Sequence, residues 1–315
     1  GYVPYDVKIN ESAARTLEYA YNDWCIYTMG KALGRPEKEI KIYAKRAMNY
    51  RNVFDPSLNL MRGKDSNGKF ETPFNPTDWG RSFTEGDTWH WTWCVFHDPQ
   101  GLVNLMGGRD NFIHMMDSTF IVPPVAKEHM IHEEREMQVM NMGQYAHGNQ
   151  PIQHMIYLYN YVAQPWKAQY WLRQVMDKLY SANPDGYCGD EDNGQTSAWY
   201  VFSAMGFYPV CPGSNQYVLG TPYFDKMTLH LENGKTMTIT AKGNSDETRY
   251  VNSMTLNGAP YNHNFLNHTD LMNGGNIEFT MSATPNKQRG TLDEDVPYSF
   301  SNTLKAVKTK KGKKK

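Results

Sequence analysis

The sequence contains no run of about 18 apolar residues, so no segment is expected to cross a membrane as a helix. It has only four cysteines, Cys25, Cys94, Cys188 and Cys211, and none forms a CxxC pair, which argues against a zinc ribbon. A chain of 315 residues can bury a core without disulfides, so the cysteine count leaves the redox compartment open. Positive charge is scarce in the body of the chain. Residues 305–315, KAVKTKKGKKK, hold seven of the 32 Lys and Arg, leaving 25 basic against 33 acidic groups elsewhere. An acidic body with a solvated lysine tail does not fit a nucleic-acid binder, whose basic residues would line a folded face. The start, GYVPYDVKIN, lacks a charged n-region, an apolar h-region and an initiator Met, so the sequence is expected to be a portion of something longer.

What is present supports a sizeable core: 40% of the residues are hydrophobic, and the 13% aromatic share suits a large core or a sugar-binding cleft equally. Residues 11–33 place Ala13, Leu17, Ala20, Tyr21, Trp24 and Thr28 on one helical face, with Asn10 as N-cap and Gly34 just past the end. A second helix fits 36–51, opened by Pro36. Residues 52–82 read as a long irregular connection. Helical segments follow near 83–96, 99–106, 109–118, 125–141, from Pro151, 165–181 and 196–206. The texture then changes, with KMTLHLENGKTMTITAKG forming two alternating runs around Asn233-Gly234, a hairpin pattern. SMTLNGAPY and IEFTMSATP read as further strands. The fold class is therefore mainly α, with helix pairs over 1–214, a β-rich appendage over 215–300 and a disordered Lys-rich tail over 301–315.

Three stretches can carry chemistry. In GDEDNGQTSAWYVFSAMGFYPV, Asp190, Glu191 and Asp192 stand before Asn193-Gly194 and an aromatic helix. An EF-hand reading fails, because no register places both the first ligand and the turn glycine correctly. Thr196 or Ser197 can cap the helix, whose dipole would keep Asp190 and Asp192 ionised as a general base requires; helix capping or a structural cation explains the same acids. In FTEGDTWHWTWCVFHD, Glu85 stands beside Trp89, Trp91 and Trp93. Indole desolvation would raise its carboxyl toward general-acid duty, while a Trp-rich core with a capping Glu is the plainer reading. In MIHEEREMQVMNMGQYAHGNQPIQH, His132 and Glu136 share a helix face next to Glu133. The fifth position of HExxH is Glu136 rather than His, which disfavours a zinc protease.

Taken together, GYVPYD, ARTLEYAYNDWCI, EGDTWHWTW, HGNQP, YLYNYVAQPW and GDEDNGQTSAWYVFSAMGFYPV resemble, in order, glycoside hydrolase family 92, the calcium-dependent exo-α-mannosidases. The resemblance implies an incomplete (α/α)6-type barrel and an inverting mechanism. Glu85 falls on the general acid and Asp192 on the general base, with Asp190 as its partner; inversion would set the two carboxyl groups about 6.5–9.5 Å apart. Trp89 and Asn193 are implied in substrate binding. Calcium is the implied cofactor, with oxygen donors expected from Glu136, Asn149, Gln150 and Asp190. The His132-Glu133 pair resembles a feature of the α-1,2-linkage subset, so the expected partner is a glycan ending in α-1,2-linked mannose. Phe96 stands where the family often has Pro, and Gln150 where Glu is common. The family's N-terminal β-sandwich, which helps to build the pocket, precedes GYVPYD and is missing here, as are further barrel helices. A secreted, periplasmic or cell-surface location follows from the family's habit. The alternative is a non-catalytic carbohydrate-binding or scaffold fragment of such an enzyme.

Overall fold

Helix α1 (Ser12–Ala32) buries Ala13, Leu17, Ala20 and Trp24 along the predicted stripe in a computed structural model that describes residues 1–125 and 128–303. Its start differs from expectation. Glu11, at a left-handed φ of 59°, occupies the N-cap without a side-chain capping bond, its carboxylate pairing instead with Arg15, whose Nε donates to the carbonyl of Asn10. Gly34, at φ 65°, ends the helix as predicted. Helix α2 (Glu37–Arg46) begins after Pro36 and stops short of residue 51, giving way to a 3₁₀ turn at Asn49–Val53. The two helices meet at Gly30, where a Cβ would sit 2.5 Å from Ile40 Cγ2, so glycine permits their approach.

The long connection contains only a short ribbon, β1 (Phe54–Asp55) against β2 (Leu60–Met61). The helix expected over 83–96 contracts to α3 (Thr88–Trp91). The reason is local: Glu85 adopts φ 43°, incompatible with a right-handed helix, and Asp87 caps α3 by accepting from Trp89 N and His90 N. Helices α4 (Pro99–Leu105) and α5 (Arg109–Thr119) match their predictions closely. Of the segment expected to be helical over 125–141, α6 spans His132–Met140. Helix α7 (Gln150–Gln153) leads into a 3₁₀ stretch, Met155–Val162, buried on every side rather than along one stripe.

Helices α8 (Pro165–Leu179) and α9 (Gln195–Met205) precede the strands. A small sheet pairs β3 (Phe207–Tyr208) with β4 (Gln216–Leu219), and β4 with β9 (Phe265–Asn267). The larger sheet comprises β5 (Lys226–His230), β6 (Thr236–Lys242), β7 (Tyr250–Leu256), β8 (Ala259–Pro260) and β10 (Gly275–Ser282). Its order is β5-β6-β10-β7-β8, with β6 and β10 parallel, and α10 (His268–Met272) lies between β9 and β10 in sequence. The predicted hairpin is the β5–β6 pair, its turn closing at Gly234 with φ 78°. Met237, Ile239 and Ala241 alternate inward on β6 and join Val251, Met254, Ile277 and Phe279 in the core.

The chain divides into two compact units, Gly1–Ile152 with the segment from Ser299, and Gln153–Tyr298. The division falls far from the compositional change at 214/215, because α8 is tied to the strands. Gln169 Oε1 accepts from Val251 N at 3.1 Å, and the buried Arg173 donates to Asn244 Oδ1 at 2.9 Å and to the Ser245 carbonyl at 3.1 Å. The first unit has a core around Trp24, Tyr50, Trp93, Phe112 and Tyr145. Its C-terminal segment is described beyond the predicted tail boundary: Ser301 is buried, and residues 300–303 are helical. Residues 304–315, with the rest of the Lys-rich tail, lie outside the described residues. No helix among the described residues is long and apolar enough to cross a membrane.

Candidate active site

The first unit holds a pocket of 350 Å³ lined by Trp79, Gly80, Glu85, Gly86, His129, Ile131, Glu133 and Glu134. Glu85 reaches it from the turn before α3, and the two other glutamates from the first turn of α6. Three successive carbonyls of the Glu85 turn are tied down. Trp91 Nε1 donates to Thr84 O at 2.6 Å, Asn149 Nδ2 donates to Glu85 O, and Gly80 N donates to Gly86 O at 2.9 Å. Gly86 lies against His90, where a Cβ would sit 2.9 Å from the imidazole Nδ1. That imidazole accepts from Asp87 N through Nδ1 at 3.0 Å and therefore donates from Nε2 to Gln144 O at 2.9 Å. Complete burial pushes its pKa down from 6.5 to about 3, so His90 is a neutral, fixed tautomer and a rigid wall for the turn.

The turn presents an exposed Glu85 side chain, contrary to the expected indole-lined environment. Trp89 and Trp93 are 8% and 1% exposed and line no part of this pocket. The three Trp residues at alternate positions pack in the core, and Trp91 also anchors the turn, so Trp89, implied in substrate binding, sits among core residues here. An indole absent from the sequence reading, Trp79, lines the pocket, and its buried Nε1 finds no acceptor among the described residues. His132 opens α6 at the surface, its Nδ1 3.2 Å from Glu133 Oε2. Glu134, also missed, is buried, and its Oε2 accepts from Ile131 N at 3.4 Å; its position three residues after the cap was the available signal.

The second unit carries Asp190, Asp192 and Asn193 on an exposed loop ahead of α9. Asp192 and Asn193 both have φ 55°, and Gly194 follows at φ 101° as the N-cap. The predicted caps act differently. Thr196 Oγ1 donates to Asp190 O at 3.0 Å, and Ser197 Oγ donates to Glu191 Oε1 at 2.5 Å. Glu191 Oε2 also accepts from Gly194 N at 2.9 Å. The carboxylate seated on the helix end is thus Glu191, and these hydrogen bonds, that from Ser197 first, hold its pKa below the usual range. Because Ser197 donates to Glu191, Tyr187 Oη donates to Ser197 at 2.8 Å. Behind the loop, Gln195 Nε2 bonds Gln153 Oε1 at 3.1 Å and Tyr208 Oη at 3.2 Å. Trp199 Nε1 donates to Gln153 O at 2.9 Å, and its ring stacks on Tyr180 with centroids 5.9 Å apart. The aromatic helix is the wall that fixes the acidic loop.

Among the expected metal ligands, Glu136 and Gln150 are half-buried and Asp190 is exposed. The Asn149 amide is largely committed: besides its bond to Glu85 O, its Oδ1 accepts from Gln150 N at 3.1 Å. No group of three or more His, Cys, Asp or Glu side chains converges as a metal site among the described residues.

The family model for the glycosyl hydrolase family 92 catalytic domain matches residues 1–283. The chain is 50% identical to a family 92 inverting mannosidase from Bacteroides thetaiotaomicron, covering 95% of this chain and 41% of that one with a TM-score of 0.86. It is 40% identical to a family 92 α-mannosidase from the same organism, solved with mannoimidazole, over 95% of this chain and 39% of that one with a TM-score of 0.88. A protein of Arthroderma benhamiae described as an uncharacterized secreted glycosidase is 28% identical over 97% of this chain and 41% of its own length. The chain spans about two fifths of the length of these relatives. With residues 1–283 matched, the chain belongs to glycosyl hydrolase family 92.

Proposed function

We propose that the chain is the catalytic portion of an exo-acting, inverting α-mannosidase that releases terminal mannose from N-glycans or mannans. The observation that carries the reading is Glu85, an exposed carboxyl on the pocket rim whose backbone is bonded at three consecutive carbonyls. A general acid must be held in one place while the sugar departs, and this turn does so. The relatives described as an inverting mannosidase and as an α-mannosidase with bound mannoimidazole support the substrate class. In this reading the helices belong to an (α/α)6 barrel, and a β-sandwich supplied by the longer protein completes the pocket.

The reaction is one displacement. The oxygen of a water forms a bond to the anomeric carbon as the bond to the glycosidic oxygen breaks. Glu85 gives its proton to the departing oxygen, and Asp192, with Asp190 beside it in sequence, takes one from the water. Asn193 is a donor for a sugar hydroxyl. The pair His132 and Glu133 faces the leaving sugar in an α-1,2 linkage. Calcium fits the donor chemistry of Glu136, Gln150 and Asp190, which is all oxygen, whereas Asn149 fits less well because its amide is committed elsewhere. If bound there, such a hard cation would supply positive charge to the oxygens of the sugar. A secreted, periplasmic or cell-surface setting belongs to the same reading, in keeping with the fungal relative described as secreted.

The test is proton NMR of the first sugar released from mannobiose by the full-length protein. β-Mannose is expected initially; α-mannose as first product would overturn inversion. Glu85→Gln and Asp192→Asn should each lower turnover about 10²–10⁴-fold. Full activity in either variant would remove that residue from its role. A calcium chelator should abolish release, and restored calcium should return it.

A further inference from the structure

The Asn149 side chain lies next to two candidate roles, metal ligand and support for Glu85, and its hydrogen bonds favour the second. Asn149 is 6% exposed. Its Nδ2 donates to the Glu85 carbonyl, and its Oδ1 accepts from Gln150 N at 3.1 Å. Its own backbone N is bonded to Ala146 O at 3.0 Å, so the side chain projects from a fixed base. The carbonyl it holds belongs to a residue at φ 43°, a conformation that relaxes when its support is removed. Neighbouring carbonyls are held by the Trp91 indole and Gly80 N, and the Glu85 carbonyl itself by Asn149.

We propose that Asn149 is a positioning residue for the reaction. By donating to the Glu85 carbonyl it keeps this residue left-handed and so sets the direction of its carboxyl. The proposal rests on the reading of Glu85 as general acid and adds a residue through which that acid is held.

A crystal structure of Asn149→Ala in the full-length protein gives a readout that does not depend on activity. The φ of residue 85 is expected to leave the positive range, or the carboxyl to move away from the pocket; an unmoved Glu85 overturns the proposal. Kinetics supply the second arm. A misplaced acid harms a leaving group that needs protonation far more than one that does not. Asn149→Ala should therefore lower kcat/KM on mannobiose about 10²-fold and on 4-nitrophenyl α-mannoside no more than about threefold. Asn149→Asp separates the two candidate roles, since it keeps an oxygen ligand and loses the N–H donor. Positioning predicts the same leaving-group-selective loss as alanine, with an unchanged calcium concentration for half-activity. Wild-type activity in the aspartate variant, or equal losses on both substrates with a raised calcium requirement in the alanine variant, assigns Asn149 to the metal and overturns the proposal.

Should Asn149→Ala fail to fold, Trp91→Phe removes the adjacent donor to Thr84 O and should give the same selectivity in weaker form; equal losses on the two substrates there overturn the proposal. Glu85→Gln is the control for the underlying reading. If it lacks the leaving-group signature, the acid assignment fails, while displacement of residue 85 in the Asn149→Ala crystal still reports on the support.

Discussion

Glu85 and Asp192 stand far apart in the chain, yet both occupy left-handed backbone, at φ 43° and 55°. Such conformations cost about 1–3 kcal/mol each and persist where surrounding bonds over-determine them. Glycine would adopt them freely. Glu85→Gly is therefore expected to raise unfolding stability by up to about 1 kcal/mol in denaturant titration while abolishing the proposed release of mannose. A loss of several kcal/mol would instead mark the glutamate side chain as structural. Sequence spacing pointed to Asp190 and Asp192 at the helix end but could not rank three adjacent acids. Only the turn through Asp192 and Asn193 decided that Glu191 meets Gly194 N and Ser197. Because those bonds lower the Glu191 pKa below its usual 4.5, their contribution is present above that value and is lost as pH falls through the lower folded value. Proteolysis within 187–194 should accelerate on acidification below about pH 4.5, and Glu191→Gln should show the faster cleavage at neutral pH as well.

Among the elements, the C-terminal segment is held in large part through one carboxylate. Asp98, fully buried, accepts from Tyr50 Oη at 2.7 Å, Ser299 Oγ at 2.8 Å, Ser301 N at 2.8 Å and Ser301 Oγ at 2.7 Å, as well as from Gly101 N at 3.1 Å. Removing the acceptor strands several buried donors, so Asp98→Ala should cost about 3 kcal/mol or more in chemical denaturation. A change below about 1 kcal/mol would show that the segment is held otherwise. The acid's sequence setting, HDPQG, announced only the helix start it caps through Gly101; partners about 200 residues away leave no local mark. The elements that were legible, α1, α5, α8 and the β5–β6 hairpin, carry their own periodicity or turn residues. The segment 83–96 misled because its aromatic density resembles a helix face while Gly86 and a left-handed Glu85 interrupt it.

Acid sensitivity is a property of the whole molecule. His90 and His147 are each wholly buried, with pKa values pushed from 6.5 to about 3, and burial also lowers that of His97. A depressed histidine pKa means the unfolded chain takes up protons that the folded one refuses. Stability is full above about pH 6.5 and falls as pH drops toward the folded values, by about 1.4 kcal/mol per pH unit for each such group. Unfolding temperature should decline steeply between about pH 6 and pH 4, and His147→Phe should flatten that decline. An unchanged slope in this variant would mean that His147 is protonated in the folded state.

Local pattern was enough to declare much about this chain: helices where apolar residues recur at helical spacing, the hairpin at Asn233-Gly234, the absence of an apolar span, and motifs ordered as in glycosyl hydrolase family 92. Those features need only neighbours a few residues apart, or a likeness carried in order along the sequence. Contacts across the fold determined the rest. The parallel pairing of β6 with β10, the attachment of α8 to the strands, the burial of Trp89 and Trp93, and the bond from Asn149 to the Glu85 carbonyl each join residues that no local spacing connects. Side-chain direction in a turn depends on which distant donors reach its carbonyls, and folding alone brings them there.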